Sequence, residues 1–121
     1  MSNFGFLRAE WPELFEEAER AERNAVADPR TACFYARRCL EHTLKWLYRA
    51  DGTLRSAYRK DNLAAMIAEP TMVNLVGPGL HAKMEIIRRQ GNKAVHENRK
   101  LTDRDSRPVI RELFHVTYWL A

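Results

Sequence analysis

Cysteine is scarce in this 121-residue chain, which contains only Cys33 and Cys39. Six residues apart on a helix, the two would lie about 9 Å apart along its axis, which is too far for a disulfide. No further cysteine and no closely spaced pair of histidines completes a zinc site. We therefore expect buried, reduced thiols and no bound metal.

Long apolar segments are also lacking. No run approaches the roughly 18 residues that a membrane-spanning helix needs. The N-terminus has no basic stretch followed by an apolar one, so it does not resemble a secretory signal. Charged residues make up 30% of the chain. These features predict a soluble, cytoplasmic domain that does not associate with a membrane.

The motifs of several common enzyme classes do not occur in the sequence. There is no GxxxxGK[ST] phosphate-binding loop, no GxGxxG dinucleotide loop and no HExxH zinc motif. The GxSxG turn of hydrolases is missing as well. These absences exclude an ordinary ATPase, dehydrogenase, zincin or α/β-hydrolase, and the chain itself is expected to need no cofactor.

Helix signals follow one another along the chain, whereas strand signals are nearly missing. Trp11-Pro12-Glu13 predicts the start of a first amphipathic helix, which should end near Asp28. Asp28 and Pro29 predict the cap and the first residue of a second helix, from about Arg30 to Ala50. Apolar residues cover a wide arc of this second helix, so we expect it to be central in a bundle.

Helix signals continue in the second half of the chain. Asp61-Asn62-Leu63 predicts a cap before a short helix. Residues 70–76 predict a further short turn of helix, closed by Gly77-Pro78-Gly79. A long helix should follow from about Leu80 to Glu97, with Gly91 on its apolar face. A glycine in that position predicts the close approach of another helix.

The last helix is predicted to begin between Thr102 and Ser106, with Pro108 in its first turn. It is still apolar where the sequence stops at Ala121, and natural helices seldom end this way. We therefore expect an N-terminal fragment of a longer protein. Residues 1–121 are predicted to form one all-α domain, a bundle of four long helices plus one or two short ones.

One segment of the long helix has a possible chemical role. Arg89 and His96 are two helical turns apart on one face, and Asn92 shares that face. A histidine near an arginine can perform general acid–base work on a phosphodiester while the arginine stabilises charge. The alternative is structural. His96 would then lie at the helix C-terminus with a hydrogen-bonded neighbour, and Asn92 would bond to a loop or an adjacent helix.

The formal net charge is +4, and the middle of the chain is basic. Six side chains there are candidates for contact with nucleic-acid phosphates, with Tyr48 and Tyr58 interleaved: Arg37, Arg38, Arg49, Arg55, Arg59 and Lys60. A solvated basic rim is the alternative interpretation.

The remaining titratable groups are predicted to be structural. His42 lies on an aromatic stripe of the second helix and should be a satisfied core or interface histidine. Glu41 and Glu112 should form salt bridges. For His81 and His115 the pattern indicates no partner.

Several stretches, taken together in their order and spacing, resemble a known family. They cover nearly the whole chain and are Phe4-Gly5-Phe6-Leu7 through Trp11-Pro12, Ala27-Asp28-Pro29-Arg30-Thr31-Ala32-Cys33-Phe34-Tyr35-Ala36-Arg37-Arg38, Trp46-Leu47-Tyr48-Arg49, Asp61-Asn62-Leu63, Gly91-Asn92-Lys93-Ala94-Val95-His96, and Arg111-Glu112-Leu113-Phe114-His115 running to Tyr118-Trp119-Leu120. This looks like the α-helical domain at the N-terminus of many type I restriction enzyme R subunits and related DEAD/DEAH-box helicase proteins.

That domain is in turn similar to the HEPN superfamily of helical bundles, which includes RNases and inactive relatives. The RNases carry an arginine, then a polar residue that is often asparagine, and a histidine, with four to six residues between the arginine and the histidine. Asn92 and His96 match this motif, but Gly91 stands where the arginine is usual and Arg89 satisfies only the longest spacing. The resemblance therefore implies a HEPN-like bundle with a binding or assembly role rather than catalysis.

The resemblance also implies what the parent protein would contain. A nuclease domain and an ATP-dependent translocase with two RecA-like lobes would lie downstream, and the whole would cleave DNA with ATP and Mg²⁺. It would act in complex with methylation and specificity subunits. Two alternatives stay open: a HEPN-type RNase or toxin–antitoxin-like partner acting through His96, and a homodimerisation bundle that uses Trp46 or Trp119.

Overall fold

All regular elements in the described residues, 2–57 and 62–121, are helices in the computed structural model. A short 3₁₀ turn covers Gly5–Leu7 and precedes five helices, of which four are long. They are α1 Pro12–Arg23, α2 Pro29–Ala50, α3 Leu63–Ala68, α4 Pro70–His96 and α5 Asp103–Leu120. The predicted all-α bundle is confirmed. No helix of this described part is long and apolar enough to cross a membrane.

The helix starts follow from capping side chains. The Asp28 carboxylate accepts a hydrogen bond from the backbone N–H of Thr31 at 3.2 Å, which confirms the predicted cap of α2. Asn62 accepts from the N–H of Ala65 at 3.0 Å and starts α3. Asp61, the other predicted cap residue, lies outside the described residues. Thr102 opens α5 with a capping box.

Two predicted details of the helix ends were wrong. α1 ends at Arg23 rather than near Asp28. The Asn24 side chain bonds to the carbonyl of Arg20 at 2.8 Å, and such local bonds compete with continued helix. Pro108 lies in the second turn of α5, not the first, because the capping box starts that helix at Asp103.

Gly77 divides α4 into two helical segments. Its φ is 83° and its ψ is 166°, a conformation that glycine adopts without steric cost. The turn of helix predicted for residues 70–76 is therefore present and is closed at Gly77, as expected. Pro78 follows at once, so the long segment starts slightly before the predicted Leu80.

The second helix is central, as its wide apolar arc predicted. α2 packs against α1, α4 and α5, whereas α1 packs mainly on α2. Its side chains form the middle of the core: Cys33, Ala36, Cys39, Leu40, Leu44 and Leu47 are all buried. Burial raises the pKa of Cys33 to about 11 and raises that of Cys39 as well. Both cysteines are free thiols, and a protonated, buried thiol is chemically inert.

The first ten residues contribute to the core, which the helix periodicity did not predict. Phe4 and Leu7 are fully buried. The ring of Phe4 meets the ring of Phe114 edge to face, with centroids 5.9 Å apart. This segment therefore closes the bundle over α5 without being a long helix itself.

We expect acid to destabilise the fold. Hydrogen bonds from Thr31 lower the pKa of Asp28, and the Thr102 backbone N–H lowers that of Asp105. Burial raises the pKa of Glu112, but bonds from Lys83 and Arg111 outweigh it and leave that pKa below its usual value. Each carboxyl binds its proton less readily in the folded protein than in the unfolded chain. The free energy of unfolding should therefore fall as the pH drops below about 4.

Urea unfolding at pH 7 and pH 3 measures this effect, and Asp105→Asn serves as the diagnostic variant. The variant should be less stable at pH 7 but lose less on acidification, because it has one depressed carboxyl fewer. Equal stability of the unaltered protein at the two pH values would contradict the expectation.

Candidate functional site

Two arginines of α2 bind the C-terminal turns of α4. Arg30 donates to the carbonyl of Lys93 at 3.4 Å, to that of Ala94, and to that of Arg99 at 2.6 Å. The last carbonyls of a helix have no partner within the helix, so Arg30 serves as a cap supplied by another helix. Two turns further along α2, the side chain of Arg37 lies against Gly91. We call this contact zone the α2–α4 seam.

Gly91 fits the seam because it has no side chain. A Cβ atom at this position would lie 2.5 Å from both Cβ and Cδ of Arg37, and 2.9 Å from its Cγ. Real Cβ atoms do not approach other atoms so closely. The predicted close approach of another helix at Gly91 is therefore confirmed. An arginine at position 91 would therefore have no space beside Arg37.

The three candidate catalytic residues lie on one face of α4 but do not interact with one another. The Oδ1 atom of Asn92 accepts a hydrogen bond from Nε of Arg37 at 3.0 Å. Arg89 is exposed, and its Nε lies 3.6 Å from a carboxylate oxygen of Glu85. His96 is the last residue of α4 and is exposed. Among the described residues it has no hydrogen-bond partner.

The structural interpretation of this part of α4 placed His96 at the helix C-terminus with a hydrogen-bonded neighbour, and Asn92 in a bond to a loop or an adjacent helix. Asn92 does bond to an adjacent helix, and His96 does lie at the helix C-terminus. The hydrogen-bonded neighbour expected for His96 is not found in the described residues. The arginine next to Asn92 is Arg37 of α2, which lies 55 positions away in the sequence.

The six basic candidates do not form one patch in the part of the chain that is described. Arg37 faces α4, whereas Arg38 faces α1, with its Nε 2.8 Å from a carboxylate oxygen of Glu17. Arg49 is exposed near the end of α2, and Arg55 is exposed beyond it. The last two candidates, Arg59 and Lys60, lie outside the described residues.

A cleft between α1 and α2 brings together side chains that the sequence did not associate. It has a volume of about 340 Å³. Its lining is Glu10, Trp11, Pro12, Glu13, Leu14, His42, Lys45, Trp46 and Arg49. We call it the tryptophan cleft, because the rings of Trp11 and Trp46 meet there edge to face with centroids 5.5 Å apart.

His42 is held in this cleft by a buried carboxylate. Its Nδ1 lies 2.5 Å from Oε1 of Glu17, and Arg38 engages the other oxygen of that carboxylate. The expected satisfied interface histidine is thus observed. The Glu17 side chain is 11% exposed and that of His42 is 38% exposed, so the imidazole connects a buried acid to solvent. The sequence feature behind this contact is a single glutamate on the buried side of α1. One glutamate in such a position does not predict which side chain it will contact.

A second cross-helix cluster joins α4 to α5. Nζ of Lys83 lies 2.8 Å from the carboxylate of buried Glu112 and 3.0 Å from Nδ1 of His115. Arg111 pairs with the same carboxylate at 2.9 Å. The salt bridge predicted for Glu112 is confirmed, and the expectation that His115 lacks a partner was wrong. Glu41 makes no salt bridge with any described residue.

No group of three or more His, Cys, Asp or Glu side chains in the described part of the chain is placed to hold a metal ion. Neither the seam nor the tryptophan cleft contains a metal-ligand set. The seam instead combines two arginines with backbone carbonyls and the amide of Asn92, and the cleft combines cations with aromatic rings and carboxylates.

Comparison with known proteins identifies the family. No curated protein and no solved structure matches the chain. A family model described as a domain of unknown function, DUF4145, matches residues 19–118, which is most of the chain. The α2–α4 seam lies wholly inside this range, whereas Trp11 of the tryptophan cleft lies before it. The chain belongs to the DUF4145 family.

Proposed function

We propose that this chain is a non-catalytic interaction or assembly domain at the N-terminus of a type I restriction enzyme R subunit. The parent would be an ATP-dependent DNA translocase and endonuclease, and would bind ATP and Mg²⁺ outside this domain. The order and spacing of the resembling segments, from Phe4 to Leu120, support this assignment. The expected partners are the downstream nuclease and helicase domains and the methylation and specificity subunits.

The observation that carries the non-catalytic part of the proposal is the use of Asn92 and Gly91 in helix packing. Arg37 occupies the space above Gly91, and its guanidinium takes the acceptor oxygen of Asn92. Arg89 is directed to Glu85 instead of to His96. General acid–base catalysis requires that its groups reach the same reacting atoms, whereas Asn92 is bound to Arg37 in the helix contact and Arg89 lies beside Glu85.

Exposed apolar side chains support a role in assembly. Ile86 on α4 and Tyr118 and Trp119 on α5 are 41%, 65% and 39% exposed. Phe34 and Val95, next to the seam, are exposed as well. Aromatic side chains are enriched in the buried centres of protein interfaces. Direct binding to duplex DNA should be weak and salt-sensitive, since the net charge is only +4.

The reading frame of the gene beyond the codon for Ala121 tests the parentage directly. We expect it to continue into a carboxylate-rich nuclease motif, a GxxxxGK[ST] loop and a DEAD/DEAH-type box. A frame that stops within a few codons would overturn the assignment to an R subunit. In that case the HEPN alternatives would take first place.

The second candidate function is a HEPN-type RNase, and one contact favours it. Arg37 supplies a guanidinium next to Asn92 from α2, at the position in space where Gly91 leaves the motif arginine missing. His96 is exposed one turn further along α4. An arginine from α2 could thus stabilise charge while His96 moves a proton. Metal would not be required for this chemistry.

Cleavage of single-stranded RNA by the purified protein tests this candidate. If it is correct, His96→Ala should abolish cleavage without changing the unfolding midpoint, because His96 is exposed and has no partner among the described residues. Arg37→Gln should reduce cleavage strongly. His81→Ala, on the same helix but outside the motif, is the matched control and should retain full activity. RNA that stays intact over hours with the unaltered protein would eliminate the RNase.

A further inference from the structure

The tryptophan cleft has the size and composition of a small-ligand site. Its volume of about 340 Å³ falls within the range of ordinary ligand pockets, which is roughly 300–1,000 Å³. Such pockets combine aromatic surface with a few polar groups that converge on the ligand. The cleft has both, and none of its side chains takes part in the α2–α4 seam.

The aromatic surface comes from two helices. Trp11 precedes the first residue of α1, and Trp46 lies in the last turns of α2. Their ring planes cross at 83°, so the two indoles form a corner rather than a stack. Both side chains are only partly buried. A flat, conjugated ring entering this corner can stack on one indole while its edge meets the other.

Two cations lie next to the aromatic corner. Lys45 and Arg49 are four residues apart on α2, so they project from the same face of the helix. Neither makes an ion pair with any of the described residues. Both line the cleft together with Trp46. Their charge is therefore available to an anionic group bound beside the indole rings. A guanidinium group can donate two parallel hydrogen bonds to two oxygens of one phosphate.

His42 supplies a hydrogen-bonding group that is already oriented. Its Nδ1 is committed to Glu17, which leaves Nε2 as the nitrogen available to a ligand. A buried carboxylate that fixes an imidazole in one orientation is a common arrangement where histidine binds a ligand or metal. Arg38 holds the same carboxylate from the other side. The ring therefore needs little reordering when a ligand binds.

Acidic residues at the mouth restrict which anion fits. Glu10 and Glu13 line the cleft and are exposed. Their carboxylates repel the continuous phosphate backbone of a duplex but can accept hydrogen bonds from the exocyclic amino group of a base. A single base with one phosphate satisfies both the acids and the cations.

We propose that the tryptophan cleft binds one nucleotide unit, with the base stacked on Trp46 against Trp11 and the phosphate held by Lys45 and Arg49. His42 would donate or accept a hydrogen bond through Nε2 at the same ligand. The unit is either a free mononucleotide or one residue of a single-stranded nucleic acid. This inference is independent of whether the chain belongs to an R subunit, so the reading-frame test and the binding test fail separately.

Titration of the protein with adenosine monophosphate and with a short single-stranded oligodeoxyadenylate tests the proposal. Binding is followed by calorimetry for the first probe and by fluorescence anisotropy of a labelled strand for the second. Trp46→Leu should weaken binding about tenfold or more, because stacking on an aromatic side chain contributes strongly to base binding. Trp119→Leu removes an indole of α5 outside the cleft and should leave the affinity unchanged.

Two double variants distinguish phosphate binding in the cleft from nonspecific electrostatic attraction to the protein surface. Lys45→Gln with Arg49→Gln removes the contact with one phosphate, so the negative slope of log affinity against log salt for the oligonucleotide should become shallower by about 0.7. Lys100→Gln with Arg104→Gln removes the same charge at the other end of the bundle, where Arg99 meets the first turn of α2. This control should leave the slope unchanged. Circular dichroism melting confirms that all variants are folded.

The relative affinities of the two probes show whether the bound nucleotide is free or part of a strand. Equal affinities indicate a free mononucleotide, and much tighter binding of the oligonucleotide indicates a strand. The proposal is overturned if neither probe binds at millimolar concentration. It is also overturned if the cleft variants and their controls weaken binding equally.

Discussion

Gly91→Arg, which places an arginine directly before Asn92, is expected to destabilise the bundle severely and to create no RNase. Even the Cβ of an alanine at position 91 would lie 2.5 Å from Cβ of Arg37. The Cβ atom of a side chain cannot move without its backbone, so α2 and α4 would have to separate. Overpacking of this kind typically costs about 1–3 kcal/mol, which is the loss we expect for Gly91→Ala. The longer arginine should cost more.

Gly79→Ala is the matched control on the same helix. No atom lies within 4 Å of a Cβ placed at Gly79. Alanine favours helix over glycine by up to about 1 kcal/mol, so this change should be neutral or stabilising. Urea unfolding followed by circular dichroism measures both variants. If Gly91→Ala were as stable as the unaltered protein, the packing role of Gly91 would be refuted.

Leu40→Ala should reduce the free energy of unfolding by about 2–5 kcal/mol. Leu40 is fully buried in α2, the helix that packs against α1, α4 and α5. A cavity enclosed by several helices cannot collapse easily, which places the expected loss toward the upper part of that range. For a domain of this size, such a loss is a large share of the total stability.

Val26→Ala provides the comparison for the core variant. Val26 is 65% exposed in the turn between α1 and α2, so truncating it should change stability by no more than about 0.5 kcal/mol. Urea unfolding should give the same slope for both variants and a lower midpoint for Leu40→Ala alone. A small effect of Leu40→Ala would contradict the central position of α2.

These expectations assign different roles to the two sites: the α2–α4 seam stabilises the bundle, and the tryptophan cleft is proposed to bind a ligand. In the α2–α4 seam, the groups that resemble a catalytic motif hold two helices together through Arg37 and Asn92. In the tryptophan cleft, Lys45, Arg49 and His42 remain directed to solvent or are only partly covered. If this division is right, variants of the seam change stability, whereas variants of the cleft change binding.

Local sequence was sufficient for most of the helical architecture. Asp28 and Pro29 mark the start of α2, and the wide apolar arc that follows them indicates its central place. Gly77 and Pro78 mark the division of α4. Each of these signals acts over one or two helical turns, through caps and backbone preferences, and is therefore visible in a short window. There are two exceptions. At the end of α1, the side chain of Asn24 competes with the backbone for the carbonyl of Arg20. In α5, the capping box starts the helix at Asp103, so Pro108 lies in the second turn.

The sequence by itself thus determined the helical class, the position of most helices, the reduced cysteines and the need for a small residue at Gly91. Only the tertiary structure decided which side chains meet. Arg37 reaches Asn92 across 55 positions, and Glu17 reaches His42 across 25. Helix periodicity specifies the face on which a residue lies, but the pairing of two faces depends on how whole helices pack. For that reason the arginine beside Asn92 and the cleft between Trp11 and Trp46 emerge only when the bundle is assembled.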